Sequence, residues 1–286
     1  MFVETNLTLD KIMSEMNQLS EESWESLAPL VMATDHLLFS RENSHKSFRR
    51  LHFLTFELMS QCQNQELDES QRLEHLVKFF FEEKNFMFED ADSKNIESLS
   101  LSRALIQFSA HPFVGTLLFL HLSQALQIPL FWISCKNRYL IKWLRSGRSE
   151  YLDLLCGGQK LSDEEVLKSL DATSSDREFW TPREVYRVYL ELLTKYFEST
   201  SNVKALHLAY NLSIQLDERN THLLGRRAFL RHRLGYIKDA HADLKRYFSF
   251  VDHNSAPFEI QDLYHKVLKS VEQSAEVPTG PGPIYH

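Results

Sequence analysis

Glycine and proline are scarce in this chain, and their scarcity limits what it can fold into. The 286 residues contain eight of each, and two of the glycines, Gly280 and Gly282, fall near the C-terminus. Glycine and proline mark turns, and short strands need more turns than helices do. The scarcity of both residue types therefore favours a mostly helical fold. The sequence also contains no GxGxxG or GxxxxGK pattern that could cradle a phosphate.

Charge and cysteine usage exclude several classes of protein. The 39 acidic and 32 basic residues give a net charge of −7, which argues against a protein that coats nucleic acid. Three cysteines without a CxxC pair argue against a disulfide scaffold or a cysteine zinc site, and they suit a reducing cytoplasm. We expect a cytoplasmic protein, because no secretory signal is visible and no apolar run reaches the roughly 18 residues of a membrane helix.

The first part of the chain combines helices with a small sheet. Apolar spacings of three and four predict helices over 9–19, 21–39 and 48–59, and Asp68 with Gln71 predicts a capping box for a fourth. Pro112 begins a stretch that is apolar on nearly every side, which indicates a central buried helix.

Three short apolar runs follow this helix, at 130–133, 139–143 and 151–155. We predict three antiparallel strands covered by the Pro112 helix, with Gly157 and Gly158 closing the sheet, and then a helix over 162–170. The predicted fold class is therefore mostly α with a small antiparallel β-sheet, that is α+β.

The polar segment 171–176 is the predicted domain boundary. It separates a first region, 1–172, from a purely helical one, 173–272, in which Thr181, Pro182 and Glu184 form a helix start signal. The tail, 273–286, is rich in proline and glycine and is expected to be mobile.

Two stretches of the second region match at a fixed period. Ala205 and Ala240 begin similar segments 35 residues apart, and Gly235 stands where two helices would turn. This pattern resembles the tetratricopeptide repeat, although Leu244 replaces the usual aromatic residue and the terminal proline is absent. Such hairpins stack into a groove that holds a peptide or another protein.

The second region also has a strong local charge. Residues 219–247 carry eight basic and two acidic residues, which gives +6 in an acidic protein. We expect either a docking surface for an acidic or phosphorylated partner or a solvated helix face. The candidate partner-binding residues are Arg226, Arg227, Arg231, His232 and Arg233.

The order of these regions resembles a bacterial family that joins a transglutaminase-like domain to tetratricopeptide repeats, the SirB family. The resemblance covers roughly residues 65–252 and is carried by segments 98–112, 113–130, 151–158 and 224–235, with Arg227 at the family's arginine position. It implies a transglutaminase-like fold in which a cysteine at the start of the central helix, a strand histidine and an aspartate perform thiol chemistry.

Two of the three catalytic positions carry other residues here. The resemblance assigns them to Pro112, Arg138 and Asp153, and only Asp153 keeps its type. Proline has no nucleophile, and arginine stays protonated and cannot act as a base. The resemblance therefore implies a degenerate domain, as in family members that lack the cysteine, and a protein that is not an enzyme.

Other chemistry remains as alternatives. Cys135 or Cys156 could be a displaced nucleophile in a thiol-dependent hydrolase or transferase, and His111 could act as a base with Asp153, although a histidine before a helix-opening proline more often caps or packs. His222, His232 and His241 lack a carboxylate or thiol at a ligand spacing, so we expect no metal and no cofactor. The leading hypothesis is a non-catalytic interaction protein whose basic repeat surface binds an acidic or phosphorylated protein segment.

Overall fold

The structure is a computed structural model that describes residues 12, 14–16, 19, 24–39, 44–63, 66–91, 95–133, 139–145, 148–170 and 179–275. Most of the predicted first helix, the boundary segment 171–176 and the tail from residue 276 lie outside the described residues. The chain forms two compact units, the first ending at Tyr196 and the second beginning at Phe197.

The first unit combines helices with two small sheets, as the α+β prediction requires. Its described helices are α1 (Leu27–Phe39), α2 (Ser44–Cys62), α3 (Glu69–Lys78), α4 (Leu101–Gln107), α5 (Pro112–Ala125), α6 (Asp163–Leu170) and most of α7 (Pro182–Thr200). Its strands are β1 (Met87–Phe88), β2 (Ser109–Ala110), β3 (Leu130–Trp132), β4 (Leu140–Arg145), β5 (Arg148–Asp153) and β6 (Gln159–Leu161). The predicted fold class is confirmed.

Helix α5 is the buried helix that the sequence predicted. Eleven of its fourteen residues are buried, because an element that is apolar on nearly all sides must be surrounded by others. It packs against α4 and β3, so its N-terminus lies inside the first unit.

Among the described residues, the antiparallel sheet has four strands in the order β3-β4-β5-β6, not the three that were predicted. Gly157 and Gly158 do not close the sheet but turn the chain, with φ angles of +68° and +79° that favour glycine. The strand after them pairs with β5 and places Gln159 opposite Asp153. Its exposed residues give no alternating apolar signal, so the sequence pattern missed it.

A second sheet, of two parallel strands, was also missed. Met87 pairs with Ser109 and Phe88 with Ala110, and two residues are too few for a period to be recognised. The capping box at Asp68 is confirmed, since its side chain accepts the N–H of Gln71 and the Gln71 side chain accepts the N–H of Asp68.

The start of α7 belongs to the first unit. Thr181 and Glu184 form a capping box at the predicted helix start. Farther along the helix, the Tyr186 hydroxyl lies 2.6 Å from Oγ1 of Thr34 on α1. These contacts carry the first unit to Tyr196, beyond the boundary that the polar segment 171–176 suggested.

The second unit is helical throughout its described residues. It contains the end of α7 followed by α8 (Val203–Leu216), α9 (Thr221–Arg233), α10 (Ile237–Phe248) and α11 (Phe258–Ala275). Gly235, at φ +79°, makes the turn between α9 and α10, and Ala240 is fully buried beside it. No helix in the described ranges is both long enough and apolar enough to serve as a membrane span.

Candidate active site and basic surface

The N-terminus of α5 is capped by a histidine. Pro112 is the first helical residue, and Nδ1 of His111 accepts the N–H of Phe113 at 3.1 Å. An accepting Nδ1 leaves the ring proton on Nε2, which lies 3.2 Å from the carbonyl oxygen of Ala91 and donates to it. Both imidazole nitrogens are therefore bonded to the backbone, and the interpretation of His111 as a capping group is confirmed.

Aromatic rings fill the space beside the start of α5. The centroid of the Phe113 ring lies 4.9 Å from the ring centroid of Trp132 and 6.1 Å from that of Tyr189. The ring centroid of Tyr139 lies 6.1 Å from those of His111 and Trp132. Burial raises the pKa of Tyr139 to about 12, so its hydroxyl keeps its proton at neutral pH. Within the described residues, several aromatic rings therefore pack against the start of α5.

Asp153 lies at the end of β5 and is only 6% exposed. Its Oδ1 accepts the N–H of Leu155 at 3.0 Å and caps the short 3₁₀ turn that ends at Cys156, whose side chain is exposed. The other two residues that bear on the expected chemistry, Cys135 and Arg138, lie outside the described residues. Of the three positions implied by the resemblance, the structure thus describes Pro112 and Asp153, both buried.

A comparison with known families identifies this first unit. A family model described as the transglutaminase-like superfamily matches residues 10–196, which is more than half of the chain. The chain belongs to the transglutaminase-like superfamily. Neither the curated proteins nor the solved structures include a significant match to it. The matched range ends at the last residue of the first unit, which is hereafter called the transglutaminase-like unit.

Asp35 is a buried carboxyl group of the transglutaminase-like unit that the sequence analysis did not single out. It accepts hydrogen bonds from the Tyr189 hydroxyl, the backbone N–H of Ser102 and the hydroxyl of Ser100. Burial raises its pKa to about 6, and these bonds only partly offset the effect. The available signal was a single carboxylate within the apolar run 27–39, where a charge needs partners.

In the second unit, two of the candidate partner-binding arginines bind one internal carboxylate. Nη2 of Arg227 lies 2.6 Å from Oδ1 of Asp243, and Nη1 of Arg231 lies 2.8 Å from its Oδ2. Asp243 is almost fully buried, and Arg227 also donates to the side chain of Asn211 on α8. These two arginines therefore join α8, α9 and α10.

The other candidates on α9 differ in exposure. Arg226 and Arg233 are exposed and lie seven residues apart, so they share one face of the helix with the exposed Phe229. Neither arginine has an ion-pair partner among the described residues. His232 is half-buried. The solvent-facing basic surface of α9 thus consists of Arg226 and Arg233 around an aromatic ring.

Histidines do not form a metal centre in the described ranges. No group of three histidine, cysteine, aspartate or glutamate side chains there could hold a metal ion. His207, on α8, lies 3.3 Å from Nε of Arg231, and burial together with Arg231 and Arg227 lowers its pKa. The neutral imidazole of His207 can accept the hydrogen bond from Arg231, so the role of His207 is structural.

Proposed function

We propose that this protein is a non-catalytic interaction protein. Its transglutaminase-like unit is a degenerate scaffold of the SirB type, and its second unit is a tetratricopeptide-like pair of hairpins that binds an acidic or phosphorylated protein segment. The observation that carries the proposal is the start of α5, where His111 and Pro112 stand and the imidazole is held by the backbone.

The loss of catalysis follows from the chemistry of that position. Thiol chemistry in this fold needs a cysteine at the start of the central helix, where the helix dipole and a histidine lower the thiol pKa. Pro112 has no side-chain nucleophile, and the lone pair of His111 Nδ1 is used by the N–H of Phe113. The aromatic rings of Trp132 and Tyr189 pack beside Phe113, the residue that follows Pro112.

The binding surface is supported by the distribution of charge on α9. Asp243 offsets Arg227 and Arg231, whereas Arg226 and Arg233 remain exposed in a protein of net charge −7. Arginine presents a planar fork that matches carboxylate and phosphate oxygens, and Phe229 adds an apolar contact between the two charges.

Fluorescence anisotropy with a labelled decapeptide of alternating glutamate and serine, plain and serine-phosphorylated, tests this surface. The full chain should bind the phosphorylated form more tightly, and the affinity should fall as salt rises. Arg226→Glu/Arg233→Glu should weaken binding at least tenfold. The matched control Lys195→Glu/Lys269→Glu makes the same charge change at two exposed lysines elsewhere and should leave binding nearly unchanged. If both variants lost the same affinity, the effect would come from the net charge of the protein, and the proposed surface would be wrong.

Thiol reactivity tests the non-catalytic part. A fluorescent iodoacetamide at neutral pH should modify no cysteine much faster than glutathione, because a catalytic thiolate needs a lowered pKa. Rapid, selective modification of Cys135 or Cys156 that is abolished by its replacement with serine would favour the alternative, a thiol-dependent hydrolase or transferase.

A further inference from the structure

Helix α2 of the transglutaminase-like unit exposes a row of large apolar side chains. Phe53 is 68% exposed, Phe56 is 66% exposed and Met59 is 46% exposed. They are spaced three residues apart and therefore run along one side of the helix, opposite the buried Leu51 and Leu58. Single exposed apolar residues are common on protein surfaces, but a contiguous row of this kind marks a surface that binds something.

A cavity lies beside the first of these residues. It has a volume of about 430 Å³, and its apolar lining includes Phe53, Leu54, Leu105 and Phe108. Phe108 has a φ of +50°, a left-handed conformation that is unfavourable for a bulky side chain. The row of apolar side chains thus continues into a concave site that can receive an apolar side chain of a partner.

The N-terminal half of the same helix is basic. Lys46 and Arg49 are exposed and have no ion-pair partner among the described residues, and the first turn contains no acidic residue. Cations at this end of a helix oppose the helix dipole, which favours negative charge there. Arg49 lines the cavity together with Arg50, and Lys84 at its wall is paired with Glu57 at 2.6 Å. An anionic group at the mouth of the cavity would relieve this unfavourable electrostatic arrangement.

We propose that this face of α2 is a docking site for an amphipathic segment of another protein that carries acidic residues beside apolar anchors. The partner's apolar anchors pack on Phe53, Phe56 and Met59, one of them enters the cavity, and its carboxylates lie against Lys46 and Arg49. From Arg49 to Met59 the helix rises about 15 Å, which matches about three turns of a partner helix. This site belongs to the transglutaminase-like unit, whereas the basic surface of α9 belongs to the second unit.

The arrangement favours a protein partner over a single-stranded nucleic acid or a membrane. Charge and apolar surface are segregated along α2, whereas proteins that bind single strands interleave them, and Met59 offers no ring for a base to stack on. A lipid surface needs a protruding apolar face, whereas this face leads into a cavity lined by Leu54 and Leu105.

The probe is a labelled 14-residue helical peptide that carries leucine and phenylalanine on one face and glutamate on the other. A peptide of the same composition with the apolar residues dispersed is its control. The full chain should bind the patterned peptide at least tenfold more tightly than the dispersed one. Phe53→Ser/Phe56→Ser and Lys46→Glu/Arg49→Glu should each remove most of that preference, and the second should also abolish the salt dependence. Phe258→Ser, which removes a 78% exposed phenylalanine from α11, should have no effect.

Equal affinity for the two peptides, or an unchanged preference in both α2 variants, overturns the proposal. It is also overturned if Phe53→Ser/Phe56→Ser instead abolishes binding to anionic vesicles or to a single-stranded RNA, or dissociates a dimer of the chain. Arg226→Glu/Arg233→Glu should leave binding of the patterned peptide intact, so failure of this site is distinguishable from failure of the proposed function.

Discussion

The carboxylate of Asp35 on α1 accepts a hydrogen bond from the hydroxyl of Tyr189 on α7. The bond joins residues 154 positions apart, and the other oxygen of the carboxylate accepts from Ser100 and Ser102 at the start of α4. One buried side chain therefore connects three helices. It explains why α7, which follows the polar segment 171–176, packs in the transglutaminase-like unit.

Asp35 should make stability depend on pH between about 4 and 6. Burial raises its pKa from 3.8 to about 6, so in this range the folded chain binds a proton that the unfolded chain has released. The contribution of Asp35 to the free energy of unfolding should therefore fall by about 3 kcal/mol as pH rises through this window and stay constant above it. Urea denaturation of the wild type and Asp35→Asn at several pH values measures this. A difference between the two proteins that stays constant from pH 4 to 7 would contradict the assignment.

His111 should be replaceable by another capping residue. His111→Ala removes the acceptor for the N–H of Phe113 and the donor to Ala91, which should lower the free energy of unfolding by about 1–2 kcal/mol. His111→Asn should recover part of the loss, because asparagine is among the best N-cap residues. Urea denaturation of the three proteins would show this order. Equal losses in both variants would mean that the ring acts by packing and not as a cap.

The parts of the fold that could be predicted from the sequence are those with a repeated or local signal. Helix α5 was predicted because its own residues are apolar on nearly every side. The capping box of Asp68 was predicted because it depends on two residues three positions apart. Strand β6 and the β1–β2 pair were missed, since each strand is only two or three residues long and carries no alternation of its own. The β1–β2 pair also joins residues that are 22 positions apart in the chain. Such pairings depend on tertiary structure, which a local pattern does not contain.

The same difference applies to the candidate sites. The sequence placed His111 and Pro112 at a helix start and named a cap as one role for His111, because the proline marks that position. The density of basic residues could not distinguish Arg227 from Arg226 as binding residues, because the two are adjacent in the chain. Only the folded hairpin brings Asp243 on α10 to Arg227 and leaves Arg226 in solvent.

Gly115 should not tolerate a methyl group, although it lies within a helix. A Cβ atom there would lie 2.4 Å from Cε1 of Phe88 and 2.8 Å from Cε1 of Phe86, and both rings are part of a packed core. Gly115→Ala should cost about 1–3 kcal/mol from overpacking, more than the roughly 1 kcal/mol that alanine gains in helix propensity.

Gly225→Ala is the matched control, because the one close approach of its Cβ would be to the end of the flexible Ile260 side chain at 2.8 Å, while Tyr247 lies at an ordinary contact distance of 3.8 Å. It should be nearly neutral, since a small movement of Ile260 offsets the contact. Thermal unfolding of both variants gives the comparison, and a Gly115→Ala protein as stable as Gly225→Ala would show that the phenylalanine rings can move aside.

Asp243 should be the charge on which the second unit most depends. It is 3% exposed and holds Arg227 and Arg231, so Asp243→Asn leaves two arginines without a counter-charge in a poorly solvated place. Breaking a buried ion pair in this way costs about 3–5 kcal/mol, whereas an exposed pair contributes less than about 1 kcal/mol. Asp262→Asn, which removes the exposed partner of Lys266 on α11, is the matched control.

Hydrogen exchange of the full chain can locate the effect, because it reports on each helix even when the two units unfold separately. Asp243→Asn should accelerate amide exchange across α9 and α10, which the buried carboxylate joins, and leave α5 unchanged. Asp262→Asn should leave exchange in all three helices nearly as in the wild type. Equally slow exchange of α9 and α10 in Asp243→Asn and Asp262→Asn would contradict this prediction. It would mean that water solvates Arg227 and Arg231 in the folded chain, so that both could contact a partner.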